Sequence, residues 1–367
     1  MIKVLQIGAE NFGNGGRSVI AFNLVKNMPL EIRNDFLAYS EYKKNAITEQ
    51  ILSHGQIHQF LSQQRPQTLE LLKQEKYDIV HIHADNAYEA IRSAILARKA
   101  HVKVVVIHAH VSGGVQYSFA KRVAIKISQK LLPHFSTKFI ACTNAASTFM
   151  YGRHPRKAVT IIKDGIDVQA YAFNKATRVA KRTELGLTPY FVIGNVGRLA
   201  YQKNQELLID AFSLATKQNN RLRLLLIGEG NDRKKLTDLS QKLGVADKVF
   251  FLGNRSDIPD LLSAIDLFAF PSRYEGFGMA ALEAQAAGLP TLISETVPRD
   301  AFVTSFAEAL PLTVNEWANK INQYSKKERN REEQALIATD QVKQAGFDII
   351  NSATELEKIY RRLVNGH

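Results

Sequence analysis

Apolar positions along the chain fall into two alternating kinds of run. Short runs rich in β-branched residues read as strands: IKVLQIG from Ile2, YDIVHIH from Tyr77, VKVVVIHAH from Val102, KFIACT from Lys138 and VTIIKDGID from Val159. Between them lie stretches with helical spacing. GRSVIAFNLVKNM places Val19, Phe22, Leu24 and Val25 at such intervals, and AYEAIRSAILARKA is amphipathic. Strands separated by helices predict βαβ units and a parallel sheet. Around KDGIDVQAYAFNKATRVAKRTELGLTP the pattern loosens and turns polar, which predicts a hinge. The alternation then restarts with YFVIGNVG, LRLLLIG, KVFFLG, LFAFPS and PTLISE as strands, and helices between them. The chain is therefore predicted to be α/β, with two doubly wound, Rossmann-like domains. A final amphipathic helix carries Leu356, Ile359, Tyr360 and Leu363 on one stripe.

Composition narrows the class. At 367 residues, 45% hydrophobic and 23% charged, the chain reads as globular and large enough for two domains. Cys142 is its one cysteine, which excludes a disulfide framework and a cysteine-based metal site and favours a reducing, cytoplasmic compartment. MIKVLQIGAENFG is too short an apolar run for a signal peptide, and no stretch approaches the roughly 20 apolar residues that span a bilayer.

The net charge of +13 is unevenly spread. From Ala90 to Lys163 there is no Asp or Glu, while Arg92, Lys121, Arg122, Lys126, Lys130, Arg153 and other cations recur. Such a segment attracts anions, whether phosphates, acidic lipid or nucleic acid; a solvated basic face is the simpler explanation. Within it, YSFAKRVAIKISQKLLPHF sets Arg122, Lys126 and Lys130 beside Phe119, Val123, Ile127 and Leu131. This suits a helix lying on an anionic membrane. The expectation for the apolar four is an ordinary core-facing stripe.

In open parallel sheets ligands bind beyond the carboxyl ends of the strands, so candidate chemistry is sought in those loops. GAENFGNGGRS follows the first strand, and Gly13, Gly15 and Gly16 would let backbone approach a ligand. It is neither a P-loop nor a dinucleotide fingerprint, and a tight turn explains it equally well. His108 and His110 end the VKVVVIHAH strand without an adjacent Asp, Glu or Cys, so hydrogen bonding or charge stabilisation suits them better than zinc. Arg198 and Lys203 lie in one loop and could grip a diphosphate, or be solvated cations. In PSRYEGFGMAALEAQAAGLP, Glu275 sits in a turn, Gly276 and Gly278 flank Phe277, and a helix begins near Met279. The free amides of that helix start form an anion site, with Glu283 about one turn further in. No D-x-D pair is present to chelate a metal against a diphosphate, so no metal is expected and Arg198 and Lys203 would neutralise the phosphates.

The segments VGRLAYQKNQELLIDAF, LLLIGEG and VFFLGNRSDIPDLLSAIDLFAFPSRYEGFGMAALEAQAAGLPTLIS, in that order, resemble the C-terminal domain of retaining GT-B glycosyltransferases of family four. Glu275 and Glu283 match that family's E-x7-E signature, and EAQAAGLPTLISETVPRDA looks closest to bacterial capsular and exopolysaccharide transferases. The resemblance implies two domains facing across a cleft: residues 1–167 binding the acceptor, 168–345 binding the nucleotide-sugar, and 346–367 a helix crossing back to the first domain. It implies that Arg198 and Lys203 neutralise the donor diphosphate and that amides near Gly276, Phe277, Gly278, Met279 and Ala280 hold it. Glu283 would bind ribose and Glu275 the transferred sugar. Asn254 and Arg255 would meet the base, and Gly15 and Gly16 would lie near donor phosphate and acceptor. His110, or else His108, would contact the sugar. Asp164 stands where the family often has Asn.

The implied activity is transfer from a nucleotide-sugar, UDP favoured over GDP, by front-face attack with retention and without a cofactor. The implied acceptor is a saccharide on a polyprenyl diphosphate, with contact to anionic lipid on the inner face of the membrane. Two other readings stand beside it. A GT-B sugar-nucleotide epimerase would act without an acceptor. A basic nucleic-acid-binding protein would fit pI ≈ 9.6 but has no aromatic-interleaved basic motif.

Overall fold

In the computed structural model, which describes residues 1–10, 16–39, 41–42, 46–60, 65–111 and 117–366, the β-branched runs form parallel strands. Two units result: Met1–Ile166 with Gly346–His367, and Asp167–Ala345.

The first unit runs β1 (Ile2–Ile7), α1 (Gly16–Lys26), β2 (Ile32–Ala38), α2 (Ala46–His54), β3 (Ile57–Gln59), α3 (Arg65–Glu75), β4 (Ile79–Ala84), α4 (Ala87–Lys99), β5 (Val104–Ala109), α5 (Phe119–Phe135), β6 (Lys138–Ala141), α6 (Asn144–Tyr151) and β7 (Val159–Ile161). Among the described residues its sheet has the order β3-β2-β1-β4-β5-β6-β7, all parallel. The second unit runs α7 (Lys175–Glu184), β8 (Phe191–Val196), α8 (Gln205–Thr216), β9 (Leu222–Ile227), α9 (Arg233–Lys242), β10 (Val249–Gly253), α10 (Ile258–Ala264), β11 (Leu267–Phe270), α11 (Met279–Ala286), β12 (Thr291–Ser294), β13 (Ala307–Leu310), α12 (Val314–Ser325) and α13 (Arg331–Gln344). Its sheet is β10-β9-β8-β11-β12-β13, again parallel. The last helix, α14 (Ile349–Asn365), belongs to the first unit.

Each sheet is apolar on both faces because helices cover both. In the first unit, α14 lays Leu356, Ile359 and Tyr360 on Val4, Ile32, Ile79, Val104, Val106 and Ile140. That face changes character toward the carboxyl ends of its strands. Val4 gives way to Gln6, Ile32 to Asn34, Ile79 to His81 and His83, and Val106 to His108 and His110.

Two sequence expectations need correction. The polar stretch around residue 175 is not only linker. It forms α7, where Arg178 and Arg182 hold Asp266 at the start of β11. The apolar stripe of α5 does not face the core. Phe119, Val123, Ile127 and Leu131 are all exposed, Phe119 at 80%, while Ile125, Ser128 and Leu132 point inward. Periodicity identifies residues that share a face but does not say which face packs. No described helix is long and apolar enough to cross a membrane.

Candidate active site

In the second unit, strand order reverses direction between β8 and β11, the position at which an open parallel sheet leaves a crevice. The loops leaving these two strands are bonded side by side. Arg273 donates its backbone N–H to Gln202 O at 2.8 Å, and Asn204 Nδ2 donates to Pro271 O at 3.1 Å. Asn204 takes a left-handed conformation (φ 55°) to turn the first loop into α8. The stitching brings Lys203 Nζ to 2.6 Å from Glu275 Oε1. Gln202 Nε2 reaches the other carboxylate oxygen at 3.4 Å. The Lys203 ammonium also lies 4.9 Å from the centre of the Phe270 ring. Gly197 makes room for the lysine stem, since a Cβ there would stand 3.2 Å from Lys203 Cε.

Gly278 caps the N-terminus of α11 with φ 106°, a conformation that favours glycine, and no side chain caps that helix start. Met279 and Ala280 are its first two residues after the cap, and Phe277 packs its ring on the core beneath the turn. The far end of α11 is closed differently. Arg331 donates to Ala287 O at 3.0 Å and Gly288 O at 2.7 Å, so a cation meets the negative end of the helix. Burial pulls the Arg331 guanidinium down to about 9. The positive end of α11 has no side-chain cap of its own.

Glu283 is on α11 and half-buried. Its partner is Tyr171, whose hydroxyl donates to it. Burial pushes the Glu283 carboxyl up from its ordinary 4.5 to about 7, against the Tyr171 hydrogen bond and the nearby Lys203 charge. The two glutamates of the E-x7-E pattern therefore differ in kind. Glu275 is a carboxylate in an ion pair, while Glu283 titrates near neutrality. Tyr171 was absent from the sequence-based site; it lies 112 positions from Glu283, with no local motif around it.

Arg198 is exposed, and among the described residues its guanidinium has no partner. Gly276 is exposed, with open space where a side chain would stand. Asn254 is exposed after β10. Arg255 is already held by Asp257, through Nε–Oδ1 at 2.7 Å and a second contact at 2.6 Å, which leaves less of it for a ligand.

In the first unit, Gly16 opens α1, and Gly15 lies outside the described residues. His108 is buried, and neither of its ring nitrogens has a partner among the described residues. The His110 side chain is 3% exposed. Its Nε2 is 2.9 Å from His83 Nδ1, and its Nδ1 is 3.1 Å from Asp164 Oδ1. His81, His83 and His108, and separately His108, His110 and Asp164, offer ligand atoms within 4.8 Å of one another, the distance range of a metal cluster. Neither trio suits one, and in the second both His110 nitrogens are already bonded, to His83 and to Asp164. His81 and His83 stack in parallel with centroids 4.4 Å apart, so their in-plane lone pairs do not converge, and both His83 nitrogens are already bonded.

Two parallel-sheet Rossmann-like units are the architecture of the GT-B fold. Residues 178–340 match the family model for glycosyl transferases group 1, and residues 43–170 match that for glycosyltransferase family 4. The chain belongs with the GT-B glycosyltransferases of family-four type. It is 27% identical over 370 residues to EpsF of Bacillus subtilis (strain 168), which carries a glycosyltransferase name, covering 96% of this chain and 94% of that one. It is 33% identical over 270 residues to the UDP-Gal:alpha-D-GlcNAc-diphosphoundecaprenol alpha-1,3-galactosyltransferase of Escherichia coli, covering 69% and 66%. The solved structure of Anabaena Alr3699/HepE in complex with UDP and glucose shares the fold, with TM-score 0.80 and 21% identity over 98% of this chain and 100% of that one.

Proposed function

We propose that the protein transfers a hexose, with retention, from a UDP-sugar to a saccharide acceptor carried on a polyprenyl diphosphate, in the synthesis of an exopolysaccharide, capsule or related cell-envelope glycan. The observation that carries this is the Lys203–Glu275 pair at the strand-order reversal, beside the uncapped start of α11. The ion pair leaves little net charge of its own, so attraction for a donor diphosphate comes from the unpartnered Arg198 and from the roughly half-unit positive charge of the α11 N-terminus. Lys203 then sits between the diphosphate and Glu275, and Glu275 faces a hydroxyl of the transferred sugar. Glu283, with Tyr171 behind it, takes the ribose hydroxyls. Asn254 and Arg255 lie toward the base.

No carboxylate stands free to act as a nucleophile among these residues. The departing diphosphate takes the acceptor proton, and its charge is stabilised by Arg198, Lys203 and the α11 amides. This set of cations, in a chain without a D-x-D pair, supports a reaction that needs no metal. Retention is carried over from the resemblance to family four. The UDP assignment is supported by the UDP-Gal of the Escherichia coli relative and the UDP in the HepE complex.

The same relative's acceptor, a sugar on diphosphoundecaprenol, supports a lipid-linked acceptor here. In the first unit a recess lined by Gly8, Glu10, Arg17, Tyr39, His83 and Arg92 offers cations and hydrogen-bonding groups for it. The exposed stripe of α5, flanked by Arg122, Lys126 and Lys130, would seat the protein on the anionic inner leaflet. The test is nucleotide release from a panel of UDP- and GDP-sugars, with and without a polyprenyl-diphosphate saccharide, in the presence of EDTA.

A further inference from the structure

The polarity of one hydrogen-bond chain in the first unit can be read from a fixed starting point. Asn34 Nδ2 lies 2.9 Å from the backbone carbonyl of Ile32, which can only accept, so that atom of Asn34 is the donor and Oδ1 faces the other way. Gln6 Nε2 donates to that Oδ1 at 2.8 Å, which turns Gln6 Oε1 toward His83. His83 Nε2, 2.9 Å from Gln6 Oε1, must therefore carry a proton. Flipping either amide would set two oxygens against each other.

His83 is buried and neutral, since burial and the neighbouring rings hold its pKa well below the ordinary value. A neutral ring protonated at Nε2 accepts at Nδ1. His110 Nε2, at 2.9 Å, must donate to it. At its other nitrogen, His110 meets only the two carboxylate oxygens of Asp164, at 3.1 and 3.3 Å. The His110–Asp164 pair thus holds one proton more than a neutral imidazole beside a carboxylate would. A carboxyl is a stronger acid than an imidazolium, so the proton rests on the ring.

We infer that His110 is held as an imidazolium, with Asp164 as its counter-ion and His83 as a fixed acceptor, so that Asp164 and His83 are positioning residues of this transferase. The functional part of this rests on the glycosyltransferase reading; the protonation state does not. Asparagine at position 164 would offer an amide donor as well as an acceptor, but no charge. A neutral His110 would then satisfy the same contacts without the extra proton, keeping its Nε2 proton toward His83 and accepting at Nδ1 from the asparagine amide. The other groups around the pair give no alternative counter-ion. His81 and His108 are neutral and buried, Cys142 carries its proton beside Asp164, and Arg17, near His83, is a cation bonded to Asp85. The ion pair stands just beyond β5, at the carboxyl edge where such sheets meet their ligands, with its imidazolium held by Asp164.

The test is a long-range nitrogen-15 correlation spectrum of histidine-labelled protein at about pH 8, where ordinary exposed histidines are neutral. A ring with both nitrogens protonated, assigned by its loss in His110→Asn, is expected in the native protein and absent in Asp164→Asn. A neutral His110 in the native protein, or an imidazolium that survives in Asp164→Asn, overturns the inference whatever the activity. With an active enzyme, the alkaline limb of kcat/KM in Asp164→Asn should move down by about 1–3 pH units, the usual effect of removing an adjacent counter-charge. An unmoved limb would mean that the charge plays no part in turnover. Thermal denaturation of Asp164→Asn separates either result from misfolding.

Discussion

Lys203 and Glu275 form an ion pair at 2.6 Å, with side chains only 18% and 9% exposed. A pair this shielded is screened less than a surface salt bridge, and removing one partner strands the other. Lys203→Ala should lower kcat by about 100- to 1,000-fold, the usual loss for one oxyanion-stabilising group. It should also cost about 1–3 kcal/mol of stability by leaving Glu275 without its donor. Steady-state kinetics beside urea denaturation checks both; near-native turnover would remove Lys203 from leaving-group stabilisation.

Arg198 should separate the two effects. It is exposed and, among the described residues, without a partner, so Arg198→Ala should change stability by less than about 0.5 kcal/mol. If its guanidinium meets the diphosphate, losing a charged hydrogen bond should reduce kcat/KM about 10- to 100-fold. Calorimetric titration with UDP gives an independent reading, and unchanged UDP affinity would place Arg198 outside the donor site.

Glu283 predicts a pH-dependent trade between stability and binding. Its native carboxyl keeps a proton up to about pH 7 that the unfolded chain releases above its ordinary 4.5. Stability from this group is therefore present at low pH and lost as pH rises through that window. Glu283→Gln should leave stability unchanged near pH 4.5 and raise it by about 1–3 kcal/mol near pH 8. If Glu283 takes the ribose hydroxyls, the same variant should bind UDP more weakly. Thermal scans at the two pH values, with and without UDP, test both.

The exposed stripe of α5 makes a prediction free of folding effects. Phe119→Ser with Ile127→Ser should keep the native Tm, because both side chains are already in solvent at 80% and 54%. It should weaken binding to vesicles containing phosphatidylglycerol, and native binding should fall with salt. Equal binding to neutral vesicles would contradict an electrostatic docking face.

The sequence showed more of the second unit than of the first because its site is built from local pieces. The strand ends, the Gly276–Gly278 turn and the α11 start are contiguous, so Arg198, Lys203, Glu275 and Glu283 could be singled out without tertiary information. What stayed hidden were relations between distant residues. Nothing in the order of residues says that Lys203 meets Glu275, that Tyr171 stands behind Glu283, or that Asp164 holds His110 across 54 positions. β2 was missed because Asn34 and Asp35 interrupt its apolar pattern, although both are fully buried. In α5 the apolar stripe was visible and its direction was not. The inward face there is Ile125, Ser128 and Leu132, and a hydropathy pattern does not choose it over Phe119, Val123, Ile127 and Leu131.

The most direct measurement is the release of free nucleotide from a UDP-hexose panel, in the presence and absence of a polyprenyl-diphosphate saccharide. Acceptor-dependent UDP release, with a glycosylated lipid product and no requirement for added metal, is the expected result. Acceptor-free isomerisation of the nucleotide-sugar, or no turnover of any donor beside tight oligonucleotide binding, would contradict it.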